Sequence, residues 1–276
     1  MAQSAWRRMA LTYKEYVMGG VTNRVALVTG AGSPNGIGFA TAKILKDAGA
    51  RIAITSTTDR IQERCDELGG TKNGVFACPA DLTEAKAVVE LCAQVEEALG
   101  PIELLVNNAG MVQTGRDEPS APLHEVTDEK WRYSIDMSLT SAFMMTRAVL
   151  PSMMEQEYGR IVHISSVTGT LVGISGSTVY GVAKAGMLGM TRSLAIEAGS
   201  RNVTVNCVGP GWIHTGSSGE DEVTAGKFTP VGRSGTPEEV GHVAVFLASE
   251  EASYVTGQLI VVDGGNTIQE YKVALP

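Results

Sequence analysis

The sequence predicts an α/β fold built on a parallel sheet of about seven strands, with helices packed on both faces. Three observations carry that expectation. Short β-branched apolar runs recur at Val25–Thr29, Arg51–Thr55, Val75–Cys78, Leu104–Asn107, Arg160–Ser165, Val203–Val208 and Leu259–Val262. Each reads as a continuous apolar run instead of an alternating one, as strands buried on both faces do. Each intervening stretch is long enough for the crossover helix that parallel neighbours require. Together these imply a doubly wound, Rossmann-like, three-layer sandwich.

The first run ends in a glycine-rich turn, Thr29-Gly30-Ala31-Gly32-Ser33-Pro34-Asn35-Gly36-Ile37-Gly38, and a helical pattern begins at Phe39. Glycines at a strand-to-helix turn let the backbone approach a pyrophosphate, and the helix N-terminus offers that anion free N–H groups. The turn lacks a strict GxGxxG, so a purely structural turn is the competing interpretation. Gly30, Ser33, Asn35, Gly36 and Ile37 are the candidate contacts.

The second run ends in Ser56-Thr57-Thr58-Asp59-Arg60. A carboxylate at this strand end would hold a ribose 2′-hydroxyl and repel a 2′-phosphate. Here Ser56 is neutral, Thr57 and Thr58 add hydroxyls and Arg60 a guanidinium, which favours NADP(H). NAD(H) remains the alternative, because the glycine turn carries no basic residue and Asp59 lies close by.

Asp81-Leu82-Thr83 follows the third run, Asn107-Asn108-Ala109-Gly110 closes the fourth, and the fifth ends in Ile164-Ser165-Ser166-Val167-Thr168-Gly169. Fourteen residues after Ser166 comes Tyr180-Gly181-Val182-Ala183-Lys184. At a spacing of four, the tyrosine and lysine share one helix face, about one turn apart. An ammonium there, joined by the positive charge of an oxidised nicotinamide, should favour phenolate and lower the phenol from its usual value near 10. Such a tyrosine can trade a proton with a carbonyl or alcohol oxygen. After the sixth run come Pro210-Gly211-Trp212-Ile213-His214-Thr215 and a Gly- and Ser-rich segment, giving a short lid at about 212–229. Thr236-Pro237-Glu238-Glu239 then marks a helix start, with an N-cap, a proline at the first position and a capping-box carboxylate.

These motifs, spread over roughly residues 21–266, resemble those of the short-chain dehydrogenase/reductase family. The glycine turn is similar to that family's Thr-Gly-x-x-x-Gly-x-Gly with two extra residues between Gly30 and Gly36. The resemblance implies that Asp81 and Leu82 flank an adenine ring, although Asp81 could equally be a helix cap. It also implies that Asn108, Ala109 and Gly110 steady the sheet and line the cofactor groove. Ser166 corresponds to the catalytic serine that polarises the reacting oxygen, Tyr180 to the general acid/base, and Lys184 to its activator, the last two also touching cofactor. Pro210, Gly211, Ile213 and Thr215 match the nicotinamide-side loop. The family usually has asparagine where Ser138 stands, holding a water beside the lysine, so the proton path should be altered here. Met111, Val172, Trp212 and Phe228 are candidate apolar walls for a ketone or secondary alcohol. The resemblance further implies a homotetramer.

Composition narrows the alternatives. The chain has 276 residues, 43% hydrophobic and 19% charged, enough for one large domain over 21–276 after an extension at 1–20. Its net charge of −8 disfavours nucleic acid and anionic membranes as partners. The four cysteines show no CxxC or Cys/His spacing, His163 and His214 have no ligand spacing, and no metal is expected. No apolar run approaches the roughly 18 residues of a membrane span, and a cytoplasmic enzyme is expected. Two other readings stay open: a 3-oxoacyl-[acyl-carrier-protein] reductase, disfavoured by the acidic Met154-Glu155-Gln156-Glu157, and a cofactor-binding sensor that has lost turnover.

Overall fold

The computed structural model describes residues 20–110 and 120–270. Seven parallel strands form one sheet: β1 (Val25–Val28), β2 (Arg51–Ser56), β3 (Val75–Pro79), β4 (Leu104–Asn107), β5 (Gly159–Ile164), β6 (Val203–Pro210) and β7 (Leu259–Val262). Their order is β3-β2-β1-β4-β5-β6-β7. All seven expected runs become strands. The largest boundary difference is in β6, which runs on to Pro210 because Gly209 and Pro210 pair with Val261 and Val262.

Among the described residues the main connecting helices are α1 (Ile37–Asp47), α2 (Ile61–Glu67), α3 (Ala85–Leu99), α4 (Asp128–Ile135), α5 (Ser141–Glu155), α6 (Thr178–Ala198), α7 (Glu220–Gly226) and α8 (Pro237–Leu247). Side chains alternate between the two sheet faces, which splits the core in two. On one face Ala26, Val28, Ile54, Val106 and Val162 pack against Phe39 and Leu45 of α1 and Val240 and Ala244 of α8. On the other, Leu27, Leu105, Ile161 and Val205 pack against Val88 and Leu91 of α3 and Met145 and Val149 of α5.

The helix expected over 131–143 is interrupted. Thr127 caps α4 by accepting from Lys130 N, and Asp136–Thr140 then forms a single π-helical turn before α5. The start of α8 is as expected: Thr236 Oγ1 accepts from Glu239 N, and the Glu239 carboxylate accepts from Thr236 N at 2.8 Å.

The order of the sheet reverses direction between β1 and β4, and in open α/β sheets the crevice beyond the strand ends at such a reversal is where ligands sit. The opposite end is pinned by Arg160. Its fully buried guanidinium donates to the carbonyls of Gly159 and Asn202, both at 2.9 Å, and pairs with Glu250 at 3.3 Å. No helix among the described residues is long and apolar enough to cross a membrane.

Candidate active site

The crevice is built by fitting the β4 end against the glycine turn. Gly30 has φ +66°, and a Cβ there would lie 2.8 Å from Ala109 Cα; a Cβ on Gly38 would overlap the Asn108 amide. The Asn108 Nδ2 donates to the carbonyls of Thr29 (3.1 Å) and Gly30 (3.0 Å). Thr29 Oγ1 in return accepts from the backbone N–H groups of Asn108 and Ala109, each at 3.0 Å. The turn is therefore held open by Asn108 instead of collapsing on itself.

Helix α1 starts from Gly36 with no side-chain cap and no acidic residue in its first turn. Its N-terminal N–H groups and positive dipole end are left to an anion. The lid segment comes down over this turn, with Gly216 N donating to Asn35 O at 3.3 Å and Gly216 lying beside Ser33. Ser33, Asn35, Gly36 and Ile37 thus gather around a glycine cradle that fits a pyrophosphate. At the end of β2, Ser56 is buried and its hydroxyl donates to Thr58 O at 3.1 Å. A Cβ on Gly32 would lie 2.9 Å from both Ser56 Oγ and Arg60 Nε, so the exposed Arg60 side chain reaches back to the glycine turn beside Thr57 and Thr58. Arg60 has no ion-pair partner among the described residues.

Asp81 Oδ1 accepts from Thr83 N and Thr83 Oγ1, closing a turn ahead of α3. The N-cap residue of α3 is Glu84, so Asp81 is not the cap of that helix. Leu82 is buried in the core beneath it.

The end of β5 sorts the two adjacent serines. Ser165 Oγ donates to the backbone carbonyl of Lys184 at 2.8 Å, fixing α6 to the strand. Ser166 Oγ accepts from Thr168 N at 3.1 Å and lies close enough to the Tyr180 phenol to act on its protonation. What allows this is a close backbone contact: Gly169 has φ +91°, and a Cβ there would overlap the carbonyl of Gly181 in the first turn of α6. Lys184, one turn on, is buried; its Nζ donates to Ile164 O at 2.7 Å and lies 5.6 Å from the Tyr180 ring centre. Tyr180 and Lys184 lie one turn apart on α6, as their spacing suggested, and Ser166 lies at the strand end beside them.

Burial dominates the electrostatics of Tyr180 and Lys184. Burial raises the Tyr180 phenol above its ordinary value; the Ser166 hydrogen bond opposes this and Glu222 of α7 adds to it. The lysine is the group moved toward neutrality, its ammonium lowered to about 8 by burial, with Cys207 opposing. Desolvation is the largest influence on both groups, and the positive charge of an oxidised nicotinamide would act on the phenol in the opposite direction.

Ser138 sits in the π-helical turn, buried against Gly110; a Cβ on Gly110 would lie 3.2 Å from its Oγ. On the far side, Gly211 N donates to Val262 O and follows Pro210, and Ile213 bridges to Gly235. Thr215 N donates to Ser218 Oγ at 2.9 Å. The lid carries a helical turn, α7, that its Gly- and Ser-rich composition did not announce. Glu222 caps it by accepting from Gly219 N at 3.1 Å. Val172 lies in the Ser166 turn, where its carbonyl accepts from Gly169 N. Trp212 is half-buried beside Gly235, whereas Phe228 is exposed and its carbonyl is held by Gln269. Met111 lies outside the described residues. Sequence reasoning missed Thr29, the Gly169–Gly181 contact and Glu222. Only the glycines gave a signal, as small residues inside two quoted motifs.

A seven-stranded parallel sheet, a glycine cradle at its switch point and a serine, tyrosine and lysine beside it define a dinucleotide-binding oxidoreductase. The family model described as enoyl-(acyl carrier protein) reductase matches residues 30–267. Oxidoreductase UcpA of Salmonella typhimurium is 36% identical over 265 residues, covering 92% of this chain and 98% of that protein. The 3-oxoacyl-[acyl-carrier-protein] reductase FabG of Escherichia coli is 38% identical over 247 residues, covering 88% and 96%. The crystal structure of a putative gluconate dehydrogenase from Agrobacterium tumefaciens is 33% identical, with a TM-score of 0.82 and coverage of 91% and 98%. The chain belongs to the short-chain dehydrogenase/reductase family. It is an oxidoreductase acting on CH–OH groups, and its family uses a nicotinamide dinucleotide.

Two outcomes test this geometry. Gly169→Ala should cost about 2–4 kcal/mol, from positive-φ strain and overlap with the Gly181 backbone. It should also lower kcat/KM about 100-fold by moving Ser166 from Tyr180. Denaturant unfolding and steady-state rates check both effects. His163 is the second case: burial, then the Lys184 charge, lower its imidazole from 6.5 to about 4. The unfolded chain binds this proton below pH 6.5 and the folded chain only near 4. Stability should therefore fall by roughly 3 kcal/mol as pH drops through that window. His163→Gln should remove that component from the pH dependence of unfolding.

Proposed function

We propose that the chain interconverts a ketone and a secondary alcohol with NADP(H), using Tyr180 as general acid/base. The observation that carries this reading is the convergence of Ser166, Tyr180 and Lys184 at one strand end. A bound nicotinamide would supply the hydride to the substrate carbon or take it from there. In reduction the Tyr180 hydroxyl gives its proton to the carbonyl oxygen as that oxygen gains negative charge. The Ser166 hydroxyl donates a hydrogen bond to the same oxygen and stabilises the developing charge. The Lys184 ammonium stabilises the phenolate left behind, and the same groups run in reverse for oxidation. A neutral, protonated Tyr180 is the form needed to donate, and burial favours it.

Arg60 and Ser56, converging on Gly32, supply a cation and a hydroxyl where a 2′-phosphate would lie, which supports NADP(H) over NAD(H). Asp81 and Leu82 flank the adenine, and Asn108, Ala109, Gly110, Pro210, Gly211, Ile213 and Thr215 line the rest of the groove. Val172, Trp212 and Phe228 supply apolar walls for a small or medium ketone. Exposed apolar side chains on α5 and α6 (Phe143, Val182, Ile196) and near β7 (Phe246, Tyr254) support a homotetramer. The protein acts in the cytoplasm.

Likeness to FabG favours a second reading, reduction of a carrier-bound 3-oxoacyl group. Against it, Arg201 is engaged by Glu157 at 3.3 Å in an acidic stretch that would repel an acidic carrier.

Tyr180→Phe should lower turnover by about 10²–10⁴-fold, the usual contribution of a positioned acid/base. Cofactor binding, followed by nicotinamide fluorescence, should be unchanged. Unaltered turnover would remove Tyr180 from the chemistry. Arg60→Ala should weaken NADPH binding by about 10–100-fold, as loss of a charge-assisted phosphate contact does. NADH binding should change little; an equal loss for both would mean that Arg60 does not face the 2′ position.

A further inference from the structure

The lid helix also borders a cavity that the chemistry above does not use. Val223 of α7 and Lys227 at its C-cap, four residues apart and so on one strip of the helix, line an open cavity of about 460 Å³. The facing wall is the loop from Gly232 to Gly235 with Thr236, the cap of α8, and His214 joins it from the loop after β6. That wall is tied together by backbone bonds. His214 N donates to Gly235 O and Gly235 N donates to Trp212 O, each at 2.9 Å.

Cations dominate the lining. Lys227 and His214 are exposed, and their side chains have no partner among the described residues. Arg233 donates to the Glu239 carboxylate at 2.7 and 2.9 Å and to Ser234 O at 3.0 Å. Its Nε–H and one Nη2–H remain for another acceptor. Glu239 is the carboxylate at the edge, since a Cβ on Gly235 would lie 3.5 Å from its Oε2. Its charge is matched by Arg233, and it also accepts from Thr236 N at 2.8 Å. Lys227 is left as a cation without a counter-charge.

Neutral donors add to this set. Gly232 has φ +78°, and the N–H groups of Arg233 and Ser234 that follow it make no hydrogen bond among the described residues. Consecutive free N–H groups at such a turn form a concavity that suits an anion. The end of α8 is not the attraction, because Pro237 has no N–H and Thr236 Oγ1 already accepts from Glu239 N.

We propose that this cavity binds a phosphate-sized anion between Lys227 on one side and Arg233, Ser234 and His214 on the other. The bound anion ties α7 of the lid to the start of α8. Ammonium and guanidinium donors together match phosphate oxygens. The phosphate is either the free ion or a group carried on a larger molecule, and both present the same oxygens.

The test uses the full chain saturated with NADPH, or with NADH if that is the form retained, so that the glycine cradle is already filled. Inorganic phosphate is titrated at constant ionic strength while NMR follows the His214 ring, assigned by its loss in His214→Gln. The wild-type protein should show a saturable shift. Lys227→Gln, a change at an exposed position, should weaken binding about tenfold through loss of one charge-assisted contact. Phosphate should also slow amide hydrogen exchange in α7 by about fivefold in the wild type and not in the variant. Glycerol 3-phosphate separates the sources: tighter binding than phosphate marks a carried group, and equal or weaker binding marks the free ion. A shift that never saturates, or an equal affinity in Lys227→Gln, would overturn the site. Saturation with unchanged exchange in α7 would overturn the tie to the lid. Binding is read without turnover, so these outcomes stand apart from the reaction assigned to Tyr180.

Discussion

The site depends on an ammonium carried into the protein interior and held against the end of a strand. Lys184 is almost without solvent exposure, and Ile164 O accepts from it at 2.7 Å. Among the described residues, no carboxylate pairs with Lys184 to lower the cost of that burial. Its folded value of about 8 lies below the 10.5 of a free lysine. The unfolded chain therefore binds the proton more tightly, and keeping Lys184 charged costs about 3 kcal/mol of stability at neutral pH. That is a large fraction of a typical domain's margin. A position so unfavourable for folding makes sense where the charge serves the groove above it, in keeping with the general conflict between stability and activity.

The rest of the architecture places partners around that charge. The sheet order puts the reversal between β1 and β4, and the Asn108–Thr29 clamp keeps the crevice there open. β5 delivers Ser166 on one side and, through Ser165, anchors the helix that carries Tyr180 and Lys184 on the other. The Gly169–Gly181 contact sets the distance between the two. Each device is a close backbone approach or a short side chain bonded to backbone, which sets the reacting groups on rigid elements.

The sheet was legible because buried parallel strands leave continuous β-branched runs, and all seven appear within a residue or two of where those runs lie. The helix at Thr236 was legible for a local reason, since its cap, proline and carboxylate act within one turn. The glycine turn and the Tyr180–Lys184 spacing pointed to the groove and to the shared helix face. What stayed hidden depends on contacts distant in sequence. The π-helical turn at 136–140 has no periodic signature. Helix α7 is short and rich in residues that disfavour helices, and it forms with Glu222 capping Gly219. The depth of burial at Tyr180 was also hidden, because residue spacing shows a neighbouring charge but not how far water is excluded.

The most direct measurement is the titration of Lys184 itself. In protein carrying isotope-labelled lysine, NMR should show one side-chain resonance, absent from Lys184→Met, that titrates near pH 8 while the others titrate near the ordinary lysine value. If the Lys184 resonance instead titrated with the surface lysines near 10.5, the ammonium would not be buried as described, and the account of the site built upon it would be contradicted.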